Sequence, residues 1–135
     1  MLKTACINPL IIETLSYCGH GDKVLIADGN YPLDSRSGSA KKVYLGITDG
    51  IPEVTQVLRV LKQIINIEKA EVMLPEDEHK PPIFKEFTEI LDGIELNGLR
   101  RFNFYDACCE PSVRLAISTG EKRTYANILV TVGVA

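Results

Sequence analysis

Apolar residues in this chain come either in short unbroken runs or in three- and four-residue steps, and the two rhythms alternate along its length. Asn8-Pro9 reads as a helix start, with Asn8 as the cap and Pro9 at the first helical position, where a missing N–H costs nothing. Leu10, Ile11, Thr14, Leu15 and Cys18 follow at helical spacing, and Gly19 ends the helix. Lys23 to Asp28 holds four consecutive apolar residues between Gly-rich turns, which predicts a strand covered on both faces. Gly29 to Ala40, with Pro32 and three serines, predicts an irregular loop able to wall a pocket, and a short strand follows from Val43 to Leu45. Pro52 opens a second helix with Val54, Val57, Leu58, Leu61, Ile64 and Ile65 along one stripe. Glu71 to Leu74 predicts a strand, and Pro81-Pro82 precede a helix that turns Ile83, Phe84, Phe87, Ile90 and Leu91 inward.

Toward the C-terminus, Gly98 to Phe104 predicts a strand, followed by a helix that ends near Gly120. Pro111 leaves open whether that helix starts near Tyr105 or near Glu110. Asn127 to Val132 is a β-rich run that predicts the last strand. Strands alternating with helices imply an α/β fold, a three-layer sandwich whose central sheet is largely parallel or mixed, with helices on both faces. At 135 residues, with no linker or repeat, the expectation is a single domain over 1–135.

Charge narrows the partners. A net charge of -3 argues against a nucleic-acid or anionic-membrane footprint, and Lys41-Lys42 and Arg100-Arg101 are too short to change that. No run approaches the roughly 20 apolar residues of a membrane span, and there is no signal-peptide h-region, so a cytoplasmic location is expected. Cys6, Cys18, Cys108 and Cys109 show no CxxC spacing and read as reduced thiols.

The chemistry-bearing candidates begin with Gly19-His20-Gly21-Asp22, where a histidine sits in freely bending backbone. Eight residues later Asp28 stands at the carboxyl end of the buried run, where open α/β sheets bind ligands. A helix end, a strand and a turn are expected to bring His20 and Asp28 together at one sheet edge. Bland readings stand beside these: His20 capping a helix, Asp28 closing an Asx turn, Arg101 pairing with a surface carboxylate, Tyr105 packed in the core. His79, just before Pro81-Pro82, reads as a solvated loop residue. There is no phosphate-binding GxxxxGK[ST], no HExxH, and no GxSxG around a nucleophilic serine.

Taken in order, Gly19-His20-Gly21-Asp22, Asp28 with Pro32, Thr119-Gly120-Glu121, Tyr125-Ala126-Asn127-Ile128 and Gly133-Val134 resemble the D-ribose pyranase and L-fucose mutarotase family. The opening Met1-Leu2-Lys3 and the Pro9 helix agree, while residues 66–97 align poorly. The resemblance implies an α/β fold and homo-oligomers, often ring-built decamers. It also implies interconversion of free sugar forms without metal or organic cofactor. It makes His20 the proton donor, Asp28 a substrate contact, and Tyr125, Ala126 and Asn127 a sugar-contacting segment. Arg101, and Tyr105 where the ribose branch carries a histidine, are similar to the fucose branch.

On this reading the chain is a cofactor-free isomerase that interconverts α and β anomers of a free pyranose, with L-fucose the leading sugar. Competing readings are a non-catalytic sugar-binding or transport-accessory module and a D-ribose pyranase-type isomerase.

Overall fold

The structure, a computed structural model, describes residues 1–77 and 79–135. In chain order the elements are α1 (Pro9–Ser16), β1 (Lys23–Ala27), β2 (Lys41–Tyr44), α2 (Val54–Lys62), β3 (Ile67–Met73), α3 (Ile83–Leu91), β4 (Leu96–Leu99), α4 (Arg101–Cys108), β5 (Val113–Ser118) and β6 (Ile128–Val132). The helix starts follow from local chemistry. Asn8 Oδ1 accepts from the N–H groups of Leu10 and Ile11 at 3.0 and 3.1 Å, and at α2 Gln56 Oε1 accepts from the Glu53 N–H at 2.8 Å. α3 closes through Asp92 and Gly93, both at positive φ, and Lys62 of α2 donates to the Ile90 carbonyl near that end.

The six strands form one mixed sheet in the order β2-β5-β1-β6-β3-β4. β5 is parallel to both β1 and β2, and β4 is parallel to β3. β6 alone runs antiparallel to its neighbours, β1 and β3, and joins the two parallel groups. Val24, Leu25, Ile26 and Ala27 are all fully buried, which is why β1 reads as an unbroken apolar run.

Both faces are covered. α1, α2 and α3 press Ile11, Leu58, Leu61, Ile83 and Phe87 onto Val24, Ile26, Leu115, Ile117, Ile128 and Val130. On the other face Phe104, Ala107 and Cys108 of α4, with Tyr31 and Leu33 of the 29–40 loop, cover Leu25, Ala27, Ala116 and Leu129. Burying each large aliphatic or aromatic side chain in this way contributes roughly 1.5–3 kcal/mol before chain entropy is subtracted. The α/β sandwich expected from the alternating pattern is therefore the observed architecture.

Two expectations near the C-terminus are overturned. Residues 101–104, assigned to a strand, form the first half of α4, and the helix expected to end near Gly120 stops at Cys108. The segment taken as its continuation, Val113–Ser118, is a strand at the heart of the sheet. Pro111 lies in the turn between the two. α3 and the loop before it fall where sequence similarity was weakest. β3 begins at Ile67, four residues before the expected Glu71. No helix among the described residues is long and apolar enough to cross a membrane.

Candidate active site

At the carboxyl ends of β1 and β3, where β6 begins, a pocket of about 200 Å³ opens to solvent; its lining is Asp28, Asn30, Tyr31, Met73, Arg101, Tyr105, Thr124, Tyr125 and Asn127. Five of the candidates named from sequence thus meet in one place, although Asp28 and Asn127 lie 99 residues apart. The topology brings them together. β1 and β6 are antiparallel neighbours, so the residue after one strand faces the residue before the other.

Asp28 is the centre of this arrangement and is only 2% exposed. Its Oδ2 accepts from the Ala126 N–H and from Asn127 Nδ2, each at 3.1 Å, and its Oδ1 accepts from the Asn30 N–H at 2.9 Å. Asn127 Oδ1 in return accepts from the Asp28 N–H at 2.8 Å. The Asx-turn reading of Asp28 is therefore correct without displacing the other, because the same carboxylate also braces the 125–127 segment. Burial pushes the Asp28 carboxyl above its usual range, and the hydrogen bonds pull against that shift without cancelling it.

Ala126 is fully buried and does not line the pocket; its N–H donates to Asp28 Oδ2. Tyr125 before it has φ of 60°, a left-handed conformation that a non-glycine residue adopts at a cost of about 1–3 kcal/mol. Its ring is thereby turned toward the pocket, where its hydroxyl oxygen accepts from Arg101 Nη2 at 3.3 Å. Arg101 opens α4, and its hydrogen-bond partner among the described residues is a phenol, with the Glu76 carboxylate acting on it through its charge. Tyr105, one turn further along α4, packs edge-on against Tyr31 at 5.5 Å and lies under the Arg36 guanidinium at 5.2 Å. Tyr31, Asn30, Met73 and Thr124 are lining residues that sequence reasoning did not name. Tyr31 follows Asp28-Gly29-Asn30 directly, and that proximity was the available signal.

His20 is elsewhere. It stands on the α1–β1 turn, at the start of β1, while Asp28 follows the end of the same strand. At about 3.3 Å per residue the five steps from Lys23 to Asp28 alone span roughly 17 Å. The expectation that His20 and Asp28 meet at one sheet edge is therefore wrong within one chain: β1 lies between them and separates them. His20 Nε2 instead faces the Glu68 carboxylate, at 3.0 and 3.1 Å, and does not cap α1. His79 is exposed, as expected of a loop residue.

Thr119-Gly120-Glu121 shapes the neighbouring rim. Thr119 Oγ1 donates to the Ala27 carbonyl at 2.8 Å and so ties the end of β5 to the end of β1. Gly120 lies so close to the 48–51 turn that a Cβ would come within 2.4 Å of the Thr48 carbonyl oxygen and 2.5 Å of that of Ile51. Glu121, nearly buried, receives Arg123 Nε and Nη2 at 2.9 Å, and Arg123 also bonds to Glu86 of α3. Burial of Glu121 works to raise its carboxyl, but Arg123 outweighs it and the net position lies below the usual range.

Comparison with known proteins places the chain in a family and agrees with its fold. The pattern of the RbsD / FucU transport protein family matches residues 1–135. A D-ribose pyranase of Staphylococcus haemolyticus (strain JCSC1435) is 33% identical over 134 residues, spanning 99% of this chain and 98% of that protein. The structure of Bacillus subtilis RbsD complexed with D-ribose superposes with a TM-score of 0.86 at 25% identity, covering 100% of this chain and 99% of that one. The fucose mutarotase of Streptococcus pneumoniae in complex with L-fucose gives a TM-score of 0.84 over 100% and 99% of the two chains; at 24% identity it speaks for the fold alone.

Proposed function

The chain belongs to the RbsD / FucU transport protein family, and from that membership we propose that it interconverts the anomers of a free pyranose by acid–base ring opening. The observation that carries this reading is the convergence of Asp28, Arg101, Tyr105, Tyr125 and Asn127 on one small polar pocket. A sugar offers hydroxyls on its rim and C–H surface on its faces. Asp28 and the Asn127 amide supply acceptor and donor, Arg101 supplies a fork of donors, and the tyrosine rings supply flat apolar contact.

His20 is the proposed acid. Its proton passes to the ring oxygen as the C1–O bond breaks, while water takes the anomeric proton; the aldehyde turns, and the steps reverse to close the ring on the other face. Positioned proton transfer of this kind contributes roughly 10²–10⁴-fold. Since β1 separates His20 from the pocket, the scheme requires the histidine of a second copy of the chain, which ties catalysis to the proposed homo-oligomer, a ring-built decamer in the leading form.

L-Fucose is the proposed substrate, because Arg101 and Tyr105 hold the positions that suggested the fucose branch and both line the pocket. D-Ribose is the second reading, favoured by the 33% identical relative that is a D-ribose pyranase. Saturation transfer between the α and β anomeric protons of each sugar tests both, with His20→Ala as control. Acceleration by the unmodified protein alone is expected. Binding without acceleration would leave a sugar-binding module instead.

A further inference from the structure

Two strands, β6 and β3, hold the turn that carries His20. The Gly19 N–H donates to Asp22 Oδ2 at 2.8 Å, the Gly21 N–H to the Val132 carbonyl at 2.9 Å, and the Val132 N–H to the Asp22 carbonyl at 2.8 Å, so the turn is pinned to the end of β6. From β3, Glu68 reaches across with both carboxylate oxygens, 3.1 and 3.0 Å from His20 Nε2. Gly133 leaves room for its stem, since a Cβ there would stand 3.1 Å from Glu68 Cβ.

We infer that Glu68 is a positioning residue for His20: it keeps a proton on Nε2 and thereby makes Nδ1 the atom that gives and regains the working proton. An ionised carboxylate can only accept, so the nitrogen facing it carries hydrogen in both the neutral and the cationic ring. The ring nitrogen left over is the one free to reach a ligand. In the proposed reaction Nδ1–H protonates the ring oxygen as the C1–O bond opens. On closure the attacking hydroxyl returns its proton to Nδ1, and Nε2–H stays on Glu68 throughout. This inference rests on His20 being the acid. The His20 and Glu68 side chains are 58% and 33% exposed, so the pair contributes little to folding, and its chemical role can be separated from a structural one.

The test combines ¹⁵N–¹H long-range spectra of the His20 ring with anomer exchange at saturating L-fucose or D-ribose, for the unmodified protein, Glu68→Gln, Glu68→Leu and His20→Ala. The neutral ring is expected as the Nε2–H tautomer. Glu68→Leu is expected to mix the tautomers and slow exchange roughly tenfold, a share of what positioned proton transfer contributes, with sugar Kd and Tm unmoved. Glu68→Gln, whose amide oxygen still accepts from Nε2–H, is expected to recover part of the rate. A neutral Nδ1–H tautomer in the unmodified protein overturns the inference whether or not Glu68→Leu folds. So does full exchange in Glu68→Leu while His20→Ala is silent, an outcome that leaves His20 as the acid. Full exchange in His20→Ala removes the acid itself, and Glu68 with it.

Discussion

Asp28 uses two oxygens to satisfy three donors from two other stretches of chain, and its replacement by asparagine would leave that account short. An amide NH₂ would have to face either the Asn30 N–H or the pair formed by Ala126 N–H and Asn127 Nδ2. Asp28→Asn is expected to cost about 1–3 kcal/mol in urea unfolding and to weaken sugar binding with it, because a stranded buried donor forfeits its desolvation. Glu121 works in the opposite sense to acid. Its folded carboxyl lies below the usual range, so it stabilises the fold above the ordinary glutamate value of about 4.3 and loses that contribution as pH falls through the folded value. The Tm of the unmodified protein should therefore drop on acidification below about pH 4.5, and Glu121→Gln should flatten part of that slope. Asp28, whose carboxyl lies above the usual range, adds nothing to this acid loss, since protonation favours its folded state. These residues were visible in the sequence because each sits within a compact motif whose neighbours share its role. Glu68 was not, because its partner is 48 residues away and only the sheet brings them together.

At the scale of elements, legibility followed amphipathicity. α2 and α3 present clean stripes, Val54 to Leu61 and Ile83 to Leu91, and both were recognised as helices, although α2 ends at Lys62, before the Ile64 and Ile65 assigned to its stripe. α4 has no such stripe: Arg101-Phe102-Asn103-Phe104 exposes Phe102 and buries Phe104, and no Ser, Thr, Asp or Asn precedes it as a cap. Its helical state comes from packing Phe104, Ala107 and Cys108 on the sheet, a tertiary effect that local preference does not record. β5 was missed for a related reason. Val113-Arg114-Leu115-Ala116-Ile117 is apolar on both faces at its centre, and a short apolar run does not distinguish a covered strand from a buried helix. Gly120 marks where β5 must leave the sheet beneath the 48–51 turn. Gly120→Ala is expected to cost about 1–3 kcal/mol by thermal unfolding, because the atoms in the way are main-chain carbonyls that cannot swing aside.

For the whole molecule, the separation of His20 from the pocket turns a question about residues into one about assembly. If each site draws its acid from a second copy, His20→Ala and Asn127→Ala subunits should each be inactive alone. When unfolded and refolded together in equal amounts they should regain activity, since random pairing leaves about a quarter of the interfaces with both halves intact. No regain on mixing, in oligomers shown by sedimentation to be mixed, would sink the shared site. Tyr17, Tyr44, Ile47 and Phe102 are among the large apolar residues that stand exposed on the single chain and are available for such contacts. The antiparallel β6 has a consequence of another kind, for how the chain comes into being. Of these six strands the last in chain order is the one that lies between β1 and β3, so β2-β5-β1 and β3-β4 remain two separate pieces, each with a bare inner edge, until Ile128–Val132 has left the ribosome. Closure of the sheet must then wait until β6 has emerged, and a nascent chain stalled before residue 128 exposes two sticky edges to chaperones and to its neighbours.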